Sequence, residues 1–231
     1  MKRLAIAVVV ALATLAMAAE TVELKRKEKV GDVKKYAVHM DFDAQGNAGE
    51  FNADVQTTVD SVDEATGVAK VRHEMKNGTA VVGGNTMSQD VPTYFVKIGG
   101  DNLPLSVEGE SASPSTLRFA RSLAPAFASA PIEIKEGKAK WTVDVKADPD
   151  KALSAWKQDS TYVGKETQEG EECAKVEFEM KETDGEQPIT SKGTAWIRPS
   201  DGTIVKLVSD VANMPIAGYV ITAKYTSTLV K

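Results

Sequence analysis

One cysteine and two histidines in 231 residues leave little material for several kinds of chemistry. Cys173 has no partner within the chain, so the fold has to stand on its hydrophobic core without a disulfide, and an inert buried thiol accounts for it. A serine-histidine-acid arrangement needs an imidazole within reach of a nucleophile, and only His39 and His73 are on offer. Neither has a cysteine, histidine or carboxylate at zinc-site spacing, so no metal is expected. No Gly-x-x-x-x-Gly-Lys loop is present to cradle phosphate, and Gly83-Gly84 reads as a turn. Ser154-Ala155-Trp156-Lys157 matches a bare Ser-x-x-Lys pattern without the Lys-Thr-Gly element that accompanies it in penicillin-recognising enzymes. The acidic groups at Asp41/Asp43, Asp148/Asp150 and Glu169/Glu171/Glu172 lack the twelve-residue calcium loop and read as solvated charge. No catalytic residue, metal or cofactor is expected.

Long apolar runs are also missing, with one exception at the start. Lys2 and Arg3 precede an apolar run over residues 4–15, followed by Ala16-Met17-Ala18, the order of a secretory signal with a small-x-small cleavage site near Ala18. Ala18, Ala19 and Glu20 include no cysteine for a lipid anchor, so the mature chain is expected in the periplasm or secreted, without an anchor or a transmembrane segment. Its loss takes two basic residues with it, moving the net charge from −5 to about −7. That balance disfavours nucleic acid and anionic membrane surfaces as partners.

What remains is dominated by period-two alternation, the mark of half-buried antiparallel strands. Tyr36, Val38, Met40 and Phe42 share one face, and the pattern recurs over residues 51–55, 69–75, 141–145, 174–180 and 219–225. His73 falls on the same face as Val71 and Met75, while His39 lies opposite the apolar face of its strand. Turn residues separate these runs at 43–47, 63–67, 76–78, 99–102, 136–137, 184–185 and 200–202. Short links favour a meander of about eleven or twelve strands. Residues 62–71 and 197–207 echo one another, each closing a hairpin at glycine; a duplicated meander and ordinary hairpin chemistry both account for this.

Two segments break the alternation. Residues 115–128 follow Pro114 with Ser113 or Ser115 as cap, and Pro125 limits a regular helix to the first part. Residues 148–156 read as cap, first-turn proline and short helix. The expectation is a mostly β fold: a curved antiparallel sheet, half-barrel or meander, under one or two short helices. Residues 1–18 form the signal and 19–231 one β-rich domain, with two halves near 20–112 and 131–231 joined by a Ser/Ala/Pro-rich helical segment.

The runs Tyr162-Val-Gly-Lys-Glu-Thr-Gln-Glu-Gly-Glu-Glu-Cys173 and Ala195-Trp-Ile-Arg-Pro-Ser-Asp-Gly202 carry a resemblance, mainly over residues 160–210. Strand, Gly-x-Glu turn, strand and Trp-Ile hairpin resemble the bacterial envelope half-barrels of the outer-membrane lipoprotein-carrier (LolA/LppX-like) type. In that family a curved sheet wraps a helical lid and shelters acyl chains. The resemblance implies a non-enzymatic exported protein binding a hydrophobic ligand such as a lipid or lipoprotein acyl chain. Phe119, Leu123, Phe127, Trp156 and Trp196 are the candidate lining residues. A structural or protein-interaction module of the cell envelope, with no small ligand, is the alternative.

Overall fold

A computed structural model describes residues 20–231 apart from 90, 111, 152, 217 and 218, so the signal segment and its cleavage site lie outside the described residues. The alternating runs become long antiparallel strands: β2 (Val33–Ala44), β3 (Asn47–Val62), β4 (Ala69–Val82), β5 (Asn85–Ser88), β6 (Tyr94–Ile98) and β7 (Pro104–Gly109) in the first half. The second half supplies β9 (Ala139–Val145), β10 (Trp156–Gln168), β11 (Glu171–Glu182), β12 (Thr190–Ile197), β13 (Ile204–Ile216) and β14 (Tyr219–Val230). Two short strands, β1 (Thr21–Val22) and β8 (Ile132–Glu133), pair with each other away from the main sheet. The one α-helix among the described residues, α1, spans Pro114–Ser122.

The main sheet has twelve strands in the order β7-β6-β4-β3-β2-β14-β13-β12-β11-β10-β9, with β5 added beside β4. It is therefore two meanders fused where the first long strand meets the last, β2 against β14, from Lys35 opposite Val230 to Asp43 opposite Thr222. The sheet is curved and not closed into a barrel. Its outermost strands on the main path are β7 and β9, and the chain joins them directly. The connecting segment must travel from one edge of the sheet to the other.

Curvature comes from irregularities within long strands, where an extra residue on one strand bends it and increases the twist. Asn77, with φ 53°, and Gly78 form such a bulge inside β4, because Asn52 pairs with Thr79 and Asp54 with Lys76. The expected turn at 76–78 is thus corrected: the asparagine-glycine pair supplies left-handed backbone, but in mid-strand. Asn213, φ 59°, does the same in β13. The sheet also accommodates two aromatic rings over glycines, Phe42 opposite Gly49 and Phe178 opposite Gly193. A Cβ at Gly49 would run into the Phe42 ring, and one at Gly193 into the Val208 carbonyl, with the Phe178 ring close behind.

Turn chemistry matches the remaining hairpins closely. Gln45 and Gly46 both take positive φ (57° and 87°) between β2 and β3. The two echoing hairpins close alike: Asp63 N–H to Val68 O at 2.9 Å with Gly67 N–H to Asp63 O at 2.7 Å, and Arg198 N–H to Thr203 O at 2.8 Å with Gly202 N–H to Arg198 O at 2.9 Å.

Helix α1 starts where its cap chemistry dictates. Ser113 Oγ accepts from Thr116 N–H at 3.1 Å, Pro114 occupies the first turn, and the helix ends at Ser122, before Pro125. The second expected helix is reduced to a 3-10 turn over Pro149–Lys151, and Trp156 opens β10 instead. Trp156, Gln158, Ser160 and Tyr162 then alternate on the buried face of that strand, so period two overrides the short capped segment.

Beyond α1 the linker runs through the interior as irregular backbone, and Pro125, Ala126 and Phe127 are all buried. Interior backbone must find partners. Asn102, in the turn between β6 and β7, donates from Nδ2 to Pro125 O at 2.9 Å. Gln158 of β10 accepts from Ala126 N–H at 3.1 Å and donates to Ala126 O at 3.0 Å. One carboxamide from each meander thus holds consecutive linker residues. Phe127 N–H adds a bond to Asp101 O at 2.7 Å.

Replacing Gln158 by Met keeps the volume but strands Ala126 N–H and weakens the hold on its carbonyl. The expected loss is about 2–4 kcal/mol, read from the urea midpoint. Asp159→Asn, next along the strand on the exposed face, should change stability by less than about 0.5 kcal/mol.

Candidate functional site

Alternation along β2, β3, β4 and β6 places Val38, Met40, Phe51, Val55, Val71, Met75 and Val96 on the inner face, and Phe119, Ala120, Leu123 and Ala124 face them from α1 and its end. The two surfaces do not meet completely. Between them lies a cavity of about 220 Å³ whose lining is mainly apolar. A larger depression of about 560 Å³ lies on the outer face among Asp159, Glu177, Glu179, Lys192 and Asp210. That depression is open and edged by charge; the inner cavity is the better candidate because it is the more enclosed and the more apolar of the two.

The expected lining residues are distributed over three environments. Phe119 and Leu123 border the cavity. Phe127, 1% exposed, packs into the core formed with Tyr162, Val176, Phe178 and Ile197, and Trp156, 3% exposed, packs with Met180, Ile189 and Val211. Trp196 lies on the outer face, since its neighbours Ala195 and Ile197 are the ones buried. Its ring sits between its cross-strand partners Lys175 and Lys206, each ammonium 5.5 Å from the ring centre.

Polar groups also reach the cavity. His73 of β4 stands directly opposite Tyr94 of β6, and the two rings stack with centres 5.0 Å apart and planes 11° from parallel. His73 Nε2 is buried without a hydrogen-bond partner among the described residues. The ring is partly accessible and borders the cavity. Burial, helped by Arg26, pushes its pKa down from 6.5 to about 4, so the imidazole is uncharged at neutral pH. Burial likewise pushes the Tyr36, Tyr94 and Tyr225 hydroxyls up to about 12.

Arg26, from the segment after β1, brings the one cationic side chain in the lining among the described residues, and it arrives already paired. Its Nε donates to Glu28 Oε1 at 2.7 Å, its Nη2 also reaches Glu28, and its Nη1 donates to Asn102 Oδ1 at 2.8 Å. Lys34 adds a bond to Glu28 Oε2 at 2.9 Å. Burial raises the Glu28 carboxyl, but the Arg26 and Lys34 cations outweigh it and leave it below its ordinary range. Two cations share the one carboxylate at this end of the cavity, and the same Asn102 that receives Arg26 also holds Pro125.

This polar network had one visible trace in the sequence. Gln158 and Ser160 fall between Trp156 and Tyr162 on the apolar side of an alternating strand, a polar interruption where more hydrophobes belong. The pairing of Arg26 with Asn102 spans 76 positions and leaves no local pattern. His39, by contrast, stays on the outer face, bonded to Asn52 at 2.9 Å and near Asp41. Cys173 is buried, which raises its thiol pKa. No helix among the described residues is long and apolar enough to cross a membrane.

No family model matches the chain, and no curated protein matches it in sequence. Among solved structures it is similar to a protein from Bacteroides fragilis with a YmcC-like fold, at 13% identity and a TM-score of 0.34, covering 90% of this chain and 99% of that one.

The neutral His73 gives the site a pH signature. As pH falls below 6.5 the unfolded chain takes up a proton that the folded imidazole declines until about pH 4, so stability falls through that window. Between pH 7 and pH 5 the wild type should lose about 2 kcal/mol more than His73→Phe, measured by urea unfolding of both at each pH.

Proposed function

We propose that this chain is an exported, non-enzymatic protein that binds a hydrophobic ligand such as a lipid or lipoprotein acyl chain beneath α1. The observation that carries the reading is the apolar cavity between the helix and the inner face of the first meander. Its volume exceeds the roughly 150 Å³ that suffices for benzene in an engineered apolar cavity and falls short of the roughly 300–1,000 Å³ of sites for drug-sized ligands. That scale suits a single short chain or the end of a longer one. The lipoprotein-carrier resemblance and the signal-like N-terminus, both sequence expectations, supply the compartment and the class of ligand.

Ligand entry is assigned to α1 because, beside the buried Leu117 and Ser122, it is held by side-chain bonds. Arg118 holds Glu182 of β11 through bonds of 3.0 and 2.6 Å, and Arg121 donates to Pro104 O at 3.0 Å. The segment just after the helix is instead anchored through buried backbone bonds. A helix released at its side-chain contacts can swing on that fixed end.

Ala120 lines the cavity from the helix, and Ala120→Phe would fill part of it. The wild type should enhance the fluorescence of the uncharged probe N-phenyl-1-naphthylamine, and A120F should weaken that binding by about tenfold or more with an unchanged circular dichroism spectrum. A wild type that leaves the probe dark, and that carries no lipid in native mass spectrometry after expression in cells, favours an envelope interaction module without a small ligand.

A further inference from the structure

The cavity is apolar but not featureless, and the arrangement of its polar groups selects among lipophiles. Arg26 is the lining cation, and each of its three guanidinium nitrogens already donates to Glu28 or Asn102. Glu28 is in turn held by Lys34, so one carboxylate is shared between two cations and Arg26 is already engaged before any ligand arrives. An anionic headgroup entering here would give up its water and have to compete with Glu28 and Asn102 for Arg26, and a buried charge without a partner of its own is costly. Fatty carboxylates and phosphates are therefore poor candidates for this site.

His73 is the opposite case. Its ring is fixed by the stack on Tyr94, it borders the cavity, and its Nε2 is buried with no hydrogen-bond partner among the described residues. A buried polar nitrogen left unpaired is uncommon in folded proteins, and a polar group of a ligand in the adjoining cavity would satisfy it. An imidazole that stays neutral in this setting offers one donor and one acceptor, and so pairs with an uncharged group of either kind. The residues around it, Val71, Met75, Val96 and Phe119, are apolar, so a ligand meets a single polar contact within a hydrocarbon wall.

We infer that the cavity takes an uncharged lipophile carrying a hydroxyl or carbonyl group, with that group hydrogen-bonded to His73 and the hydrocarbon against α1 and the inner sheet face. The inference rests on the cavity being a ligand site. It adds which member of the hydrophobic class the site prefers: a long-chain alcohol or ester in place of a free fatty acid anion.

Displacement of N-phenyl-1-naphthylamine by three ligands of matched length, 1-octanol, octanoate and nonane, at pH 8 tests this on the intact protein. Octanol should bind about tenfold more tightly than octanoate and more tightly than nonane. His73→Phe, which keeps a ring to stack on Tyr94, should weaken octanol about five- to tenfold while changing nonane by less than about twofold. Octanoate binding as tightly as octanol, or an H73F variant that binds octanol unchanged, overturns the inference while leaving the apolar site standing. If H73F does not fold, the wild-type ranking of the three ligands decides alone. Failure of the probe and of all three ligands to bind overturns the site itself.

Discussion

The structure depends on a chain that must cross its own interior. Because β2 and β14 meet in the middle of the sheet, the two strands left at its ends, β7 and β9, are the ones the chain must connect. The linker between them passes over the inner face and brings non-helical backbone into apolar surroundings. Each unpaired peptide group there would cost about 1–3 kcal/mol. Asn102 and Gln158 satisfy Pro125 O and both peptide groups of Ala126, one from each meander. Those bonds tie the linker to both halves of the sheet at one place.

Everything at the candidate site follows from where that tie lies. Linker residues 125–127 are drawn onto the sheet and packed into the core beside Trp156, Met180 and Phe178. Helix α1, upstream of the tie, is held by side chains, and between it and the inner face of the first meander the cavity remains. Asn102 also receives Arg26, so the clamp and the ion-paired cluster with Glu28 and Lys34 form one network. The cavity is thus bounded by a paired sheet, a helix held by its side chains and an ion-paired polar end.

The alternating strands were legible because period two reports directly on a sheet with one buried face: the runs at 36–42, 69–75 and 174–180 fall within β2, β4 and β11. The cap at Ser113 likewise marked α1, since capping is a local hydrogen bond. Asn77-Gly78 shows the limit of local reading, because left-handed backbone serves a bulge as well as a turn and only the partner strand decides. Trp156 shows another: a proline-capped segment suggests helix, but the long pairing of β10 with β9 and β11 outweighs it. At the site, His73 was placed on the apolar face with Val71 and Met75, and all three border the cavity. Phe119 and Leu123 border it too, whereas Phe127 and Trp156 fill the core and Trp196 faces outward. Aromatic residues mark apolar surface, but a gap in that surface arises from tertiary fit between helix and sheet, which no local pattern records.

Diffraction from crystals held under xenon pressure tests the central claim most directly, because xenon enters dry apolar cavities without needing a matched ligand. Density is expected between Val71 and His73 on the sheet and Phe119 on α1, with Pro125 and Ala126 still held by Asn102 and Gln158. An inner face packed solidly against the helix, with no xenon in that space, would contradict the account.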